Sequence, residues 1–264
     1  MDSYQEDSYL NDQHAYGVIA LRALSQICSE RKIPFYLLAG SCLGAVRHAG
    51  FIPWDDDIDV GFLNEDYERF KAAAQEEFPK YGLEFRDHTT RHQLPRMLGK
   101  VIRPGGYGVL DCFRLVRVPD NELHQIIQWH AKRFLYGVWK RQVQPPKTVF
   151  SSSKRKFLWN IRTIMTMPIA LLVPSSLIAK QMLWVESHHG KSTKYVSNFY
   201  SVYSRKKELI PLEWLDSPSY LMFEDMCCPV PQDVDSYLTN LYGDYMTPPA
   251  KSSRNPNHSL NIFG

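Results

Sequence analysis

No two of the five cysteines (Cys28, Cys42, Cys112, Cys227, Cys228) have the Cys-x-x-Cys spacing of a zinc site. Their odd number leaves any disulfide framework incomplete, and this usage points to a reducing cytosol. Met1 to Asp7 has neither a basic nor an apolar region, so it does not read as a signal peptide. No uninterrupted apolar run is long enough to span a bilayer. Residues 163–179 carry no charge but are broken by Pro168 and Pro174. Repeats and low-complexity linkers are also missing. The most uneven absence is acidic: residues 123–185 contain no Asp or Glu. They hold ten Lys and Arg, leaving the remainder at −7 against a whole-chain charge of +3. Such asymmetry points to a polyanionic surface, either membrane or nucleic acid. At 264 residues the chain suffices for one core plus an accessory region.

What is present in excess is acid in one place. Asp55, Asp56, Asp57 and Asp59 fall within five residues. Carboxylates this close repel one another and drive some toward protonation, unless a hard divalent cation with a taste for oxygen ligands joins them. Ile58 and Val60 alternate with Asp57 and Asp59, as in a half-buried strand. Both carboxylates then leave one face about 6–7 Å apart along the backbone.

Upstream, residues 11–31 read as a helix and residues 33–38 as a short buried strand. That strand runs into Ala39-Gly40-Ser41, where glycine permits a tight turn. Residues 41–47 read as a short helix whose N-terminal N–H groups suit a phosphate. A helix over 64–78 and a strand over 83–86 follow the acids. Residues 96–103 and 107–115 read as a hairpin around Pro104-Gly105-Gly106, placing Asp111 in an apolar strand. Residues 122–140 read as a helix and 151–153 as a loop. The basic stretch has two open readings. It is a helical subdomain packed on the core, or an interfacial patch that rests on anionic lipid through its bases and Trp139, Phe157 and Trp159.

A strand, a Gly-Ser turn, a short helix, an Asp-x-Asp strand and a later strand acid make the layout of a nucleotidyltransferase fold. The expected class is α+β: a mixed sheet core with flanking helices plus a basic helical accessory region. The expected division is a catalytic core over 1–120, a basic helical insert over 121–200, and a C-terminal segment over 201–264 that completes the catalytic domain. In this layout Asp57 and Asp59 are metal ligands, Gly40 and Ser41 a phosphate seat, and Asp111 a third ligand or general base.

The stretch from Leu38 to Val60 (LAGSCLGAVRHAGFIPWDDDIDV) closely resembles the signature of the LicD family. It is also similar to the catalytic domain of fukutin-type ribitol-phosphate transferases. Leu110-Asp111-Cys112-Phe113 matches the family's Ile-Asp-Ile-Phe element, and Tyr242-Gly243-Asp244 its C-terminal Tyr-Gly-Asp. Cys42 and the run Arg114-Leu115-Val116 depart from the usual pattern. The resemblance implies Mg²⁺-dependent (or Mn²⁺-dependent) transfer of phosphocholine from CDP-choline to a sugar hydroxyl of a bacterial surface glycan, with release of CMP. CDP-ribitol or CDP-glycerol is the alternative donor, and a nucleotidyltransferase acting on RNA or protein the more distant one. The implied partners are a CDP-alcohol and a glycan acceptor, with no nucleic acid; if that acceptor is lipid-linked, the basic region would hold the cleft against the inner face of the cytoplasmic membrane.

Each remaining candidate has two readings. Asp55 is an outer metal ligand, and Asp56 a turn cap. Asp111 is catalytic or forms an ion pair with Arg114 or Arg103. Arg47 touches phosphate or pairs with the acids. His48 binds substrate or makes a structural hydrogen bond. Lys100, matched by a lysine in LicD proteins, meets the diphosphate or is a surface charge. Trp54 stacks on the base or on a quaternary ammonium, or packs. Tyr242, Asp244 and Tyr245 close the site or pack a helix end. His188-His189 and Cys227-Cys228 read as incidental.

Overall fold

The computed structural model describes residues 3–89, 98–143, 166–187, 193–201 and 203–254. The expectations for Arg96, the 151–153 loop, Phe157, Trp159, His188-His189 and the bases Lys147, Lys154, Arg155, Lys156 and Arg162 lie outside the described residues. The elements, in chain order, are α1 (Ser3–Arg31), β1 (Tyr36–Leu37), α2 (Ala39–His48), β2 (Ile58–Leu63), α3 (Asn64–Glu77), β3 (Glu84–Arg86), β4 (Gly99–Ile102) and β5 (Gly108–Val118). Then come α4 (Glu122–Val143), α5 (Thr166–Leu172), α6 (Ser175–Ser187), β6 (Tyr195–Ser197) and β7 (Leu209–Pro211). Last are α7 (Glu213–Asp216), β8 (Ser219–Phe223), β9 (Met226–Val230) and α8 (Val234–Tyr242).

The α+β class holds. One mixed sheet runs β1-β2-β5-β4-β3, with β6 joined to β5 and β7 to β6, while β8 and β9 form a separate hairpin. β2 and β5 are parallel, and β4 is antiparallel to β5. This arrangement sets the site. In β2, Ile58 and Val60 are fully buried, so the alternation turns Asp59 to the opposite face. In β5, Asp111 lies directly across from Asp59, and in β4 Lys100 lies directly across from Asp111. Three ionisable side chains from three strands therefore share one row.

The helix α1 packs a stripe of Leu21, Leu24, Ile27 and Cys28 against the sheet core. It is longer than the sequence spacing indicates, reaching back to Ser3. The strand expected over 33–38 shrinks to Tyr36–Leu37 because the chain turns early: Ala39, at φ 42°, already opens α2. A left-handed φ at a residue with a Cβ is strained, and here it aims the start of α2 at β2.

The accessory helices α4 and α6 share their own small core of Val138, Trp139, Ile178 and Met182. Trp139 is thus a core residue, which corrects its reading as a membrane-facing aromatic. Lys132 is corrected likewise. It is fully buried, donates to the Met182 carbonyl at 3.0 Å, and pairs with buried Glu186. Tyr200 donates its hydroxyl to the same Glu186 at 2.8 Å. The main sheet resumes at β6, inside the stretch expected to be helical insert.

Candidate active site

The acidic loop is held from below by α1. Gln13, fully buried, donates through Nε2 to the carbonyls of Asp56 (3.2 Å) and Gly108 (2.9 Å). His14 Nε2 lies 2.7 Å from the Asp55 carbonyl, and its ring stacks on Phe51. Sequence reasoning passed over both residues. The available signal was a glutamine continuing the apolar stripe of α1, where a polar group needs a partner.

Oxygens of Asp55, Asp56 and Asp57 lie within 4.8 Å of one another. Asp56, read as a turn cap, is buried instead and accepts a 3.0 Å hydrogen bond from Tyr9. Asp55 and Asp59 meet over Gly40. A Cβ at Gly40 would stand 2.7 Å from Asp55 Oδ2 and 3.4 Å from Asp59 Oδ2, so glycine makes room for both carboxylates. Asp111 completes the set from β5.

Lys100 is buried among these acids. It pairs closely with Asp111 and stands 3.6 Å from Asp57. A Cβ at Gly108 would collide with its side chain, so that glycine admits the lysine. The alternative of a surface lysine is therefore corrected. So is the pairing of Asp111 with arginine: Arg114 bonds Asn64 at 3.1 Å and Glu68 at 2.5 Å, and Arg103 bonds Gln13 at 2.5 Å.

The electrostatics follow from this crowding. Burial first, and then the charges of Asp57 and Asp56, push the Asp55 carboxyl up to about 8. Burial, Asp57, Asp111 and Asp55 hold Asp59 well above the usual carboxylate range. Both groups keep protons that an unfolded chain loses near pH 4. Such donors fit a hard divalent ion: several carboxylate oxygens converge, and they lack enough positive charge to ionise together.

The phosphate seat is arranged differently from the expectation. Gly40 N–H donates to Asp59 Oδ2 at 3.2 Å, and Ser41 Oγ accepts from Asp59 N–H at 2.7 Å. Ala39 N–H donates to Tyr237 Oη at 2.9 Å. The start of α2 therefore orients an acid.

At the outer rim, Arg47 donates to His48 Nε2 (3.0 Å) and to the Tyr245 carbonyl (3.0 Å). It makes no ion pair with the acids among the described residues. His48 is exposed, and burial and then Arg47 lower its pKa. Trp54 is partly buried, with the Arg254 guanidinium 4.6 Å from its ring centroid. Of the C-terminal candidates, Tyr242 stands edge-on to Tyr203, with 5.9 Å between ring centroids. Both hydroxyls are raised first by burial, and both feel Asp59. Tyr203 is a neighbour of the site that the sequence did not single out. Asp244 accepts from Thr247, and Tyr245 bonds Asp235 at 2.8 Å.

Residues 32–103 match the family model described as LicD/FKTN/FKRP, nucleotidyltransferase domain. The chain is 26% identical over 263 residues to the lipopolysaccharide cholinephosphotransferase LicD of Haemophilus influenzae, covering 94% of this chain and 96% of that protein. It is 36% identical over 47 residues to the ribitol-5-phosphate transferase FKTN of Mus musculus (18% of this chain, 10% of that protein). It is 35% identical over 66 residues to the ribitol 5-phosphate transferase FKRP of Homo sapiens (22% of this chain, 13% of that protein).

Proposed function

We propose that this chain is a phosphotransferase of the LicD type, like the relatives it resembles, and that it transfers phosphocholine from CDP-choline to a sugar hydroxyl of a bacterial surface glycan. The carrying observation is the row Asp59–Asp111–Lys100 set against the Asp55–Asp57 cluster. Asp55, Asp57 and Asp59 would hold Mg²⁺ or Mn²⁺. When bound, the ion would neutralise charge on the donor diphosphate. Asp111 is the carboxylate placed to take the proton of the attacking hydroxyl, with Lys100 fixing its orientation. The hydroxyl oxygen bonds to the phosphocholine phosphorus, the bond to the CMP oxygen breaks, and CMP leaves. The match to LicD over nearly its whole length favours choline over ribitol as the alcohol. CMP release from CDP-choline, CDP-ribitol and CDP-glycerol, each with Mg²⁺ and a glycan acceptor, tests this reading. Turnover with CDP-choline alone is expected; turnover with a polyol donor alone removes the choline assignment.

The site predicts a specific pH response. Asp55 and Asp59 are raised above their unfolded values, so the folded chain binds more protons. Without metal, stability is greatest below about pH 4 as far as these two groups are concerned, and it drains as pH rises, toward about 8 in the case of Asp55. Divalent ions displace those protons. Mg²⁺ should therefore raise the unfolding midpoint more at about pH 8 than at about pH 5. An equal rise at both, read by thermal unfolding, contradicts the metal site.

The proposal also places the enzyme against anionic membrane. Among the described residues no single helix is long and apolar enough to cross a bilayer, and α5 meets α6 at 117°. Yet α4, α5 and α6 expose Leu123, Ile127, Leu177 and Trp184, with Leu171 and Leu172 at 78% and 83% exposure. Beside an acid-free basic stretch, these residues suit an anionic lipid surface. Flotation with anionic liposomes, lost on Leu171→Ser/Leu172→Ser, is the expected result; flotation insensitive to both salt and these changes sinks the idea.

A further inference from the structure

A diphosphate needs cations, and the groups first expected to supply its seat are engaged elsewhere. Gly40 and Ser41 serve Asp59, and Lys100 serves Asp111 and Asp57. Two guanidinium groups at the rim are differently placed. Arg254 and Arg47 lie 4.6 Å and 5.9 Å from the ring centroid of Trp54, which adjoins Asp55 in the chain. Neither has a carboxylate within ion-pair distance among the described residues. Arg254 donates through Nε to the Pro249 carbonyl at 2.9 Å, which leaves both its Nη groups without an acceptor among the described residues. Arg47 is anchored by His48 and by the Tyr245 carbonyl. After burial, the nearby charge of Arg254 is the next largest influence lowering the Arg47 pKa, so the two cations stand close enough to repel. Like charges held together on an aromatic platform, one residue along the chain from Asp55 and with no acid between them among the described residues, form a seat for an anion.

We propose that Arg254 and Arg47, braced on Trp54, bind the diphosphate of the nucleotide donor. This deepens the reading above and rests on it. Arg254 comes from the C-terminal end of the described chain and Arg47 from the end of α2, so the seat closes only when the two segments meet. A planar guanidinium both stacks on the indole and offers paired donors to phosphate oxygens, and lysine cannot reproduce that pair of contacts.

The test is calorimetric titration of the full chain with CMP and with CDP in magnesium buffer, using wild type, Arg254→Gln, Arg254→Lys and Arg47→Gln. Wild type should bind CDP more tightly than CMP. Arg254→Gln should weaken CDP about tenfold or more and CMP much less, with lysine intermediate and the unfolding midpoint unchanged. An unaltered ratio of CDP to CMP affinity in Arg254→Gln overturns the seat, and so does an equal loss for both nucleotides with a lowered midpoint. Wild type that binds neither nucleotide overturns the CDP-dependent reaction itself, a failure distinct from that of the arginine pair.

Discussion

Asp59→Asn should lower phosphoalcohol transfer by on the order of 10³-fold while leaving the protein folded. Asparagine keeps an oxygen to accept from Gly40 N–H and leaves the backbone bond to Ser41 intact. What it removes is the charge. Asp59 is enclosed by other acids, with Asp57, Asp111 and Asp55 all raising its pKa after burial. Without metal, the amide removes the cost of keeping a proton on Asp59 that the unfolded chain has lost, so the unfolding midpoint at about pH 8 should hold or rise. Activity and stability thus move in opposite directions, which separates a ligand from a structural acid. A variant that retains a tenth of wild-type transfer would remove Asp59 from the site. One that loses both activity and fold would make it a core residue.

The second large effect lies away from the chemistry. Lys132→Met should destabilise the protein by about 3–5 kcal/mol, because Glu186 is left as an uncompensated buried charge. The lysine is already poorly solvated: burial pushes it down to about 8 despite its pairing with Glu186. Lys132→Met/Glu186→Gln should recover most of the loss. The amide carries no charge, and its oxygen still accepts from Tyr200. Denaturant unfolding of the two single variants and the double variant measures the coupling. Additive losses would mean that α4 and α6 are held by their apolar core alone.

The sequence carried the parts of the site that depend on local pattern. Asp59 is legible because alternation with Ile58 and Val60 fixes its face. Asp111 is legible because an acid inside an apolar strand needs a reason to be there. Gly40 is legible as a close-approach glycine, but what approaches is a pair of carboxylates. That outcome depends on the φ of Ala39 and on the direction in which α2 leaves β1, which spacing cannot show. Lys100 reads as a diphosphate contact or a surface charge, and its pairing with acids shows only when β4 is set beside β5, because its partners are fixed by register between strands. Gln13, Tyr203 and Arg254 reach the site from segments about 40 to 200 residues from the acids, so no local window contains them. Strands β6 to β9 were missed because they are short: all four hold only three to five residues of mixed exposure. Only pairing with neighbours makes such segments strands.

The binding of CDP, measured by calorimetry in Mg²⁺ and again in a chelating buffer, bears most directly on the site as a whole. If the acidic cluster and the donor diphosphate share a divalent ion, wild type binds CDP at least about tenfold more tightly with Mg²⁺, and Asp59→Asn shows no such difference. Equal CDP affinity with and without the ion in wild type would contradict a metal-bridged donor and return the acids to a structural role.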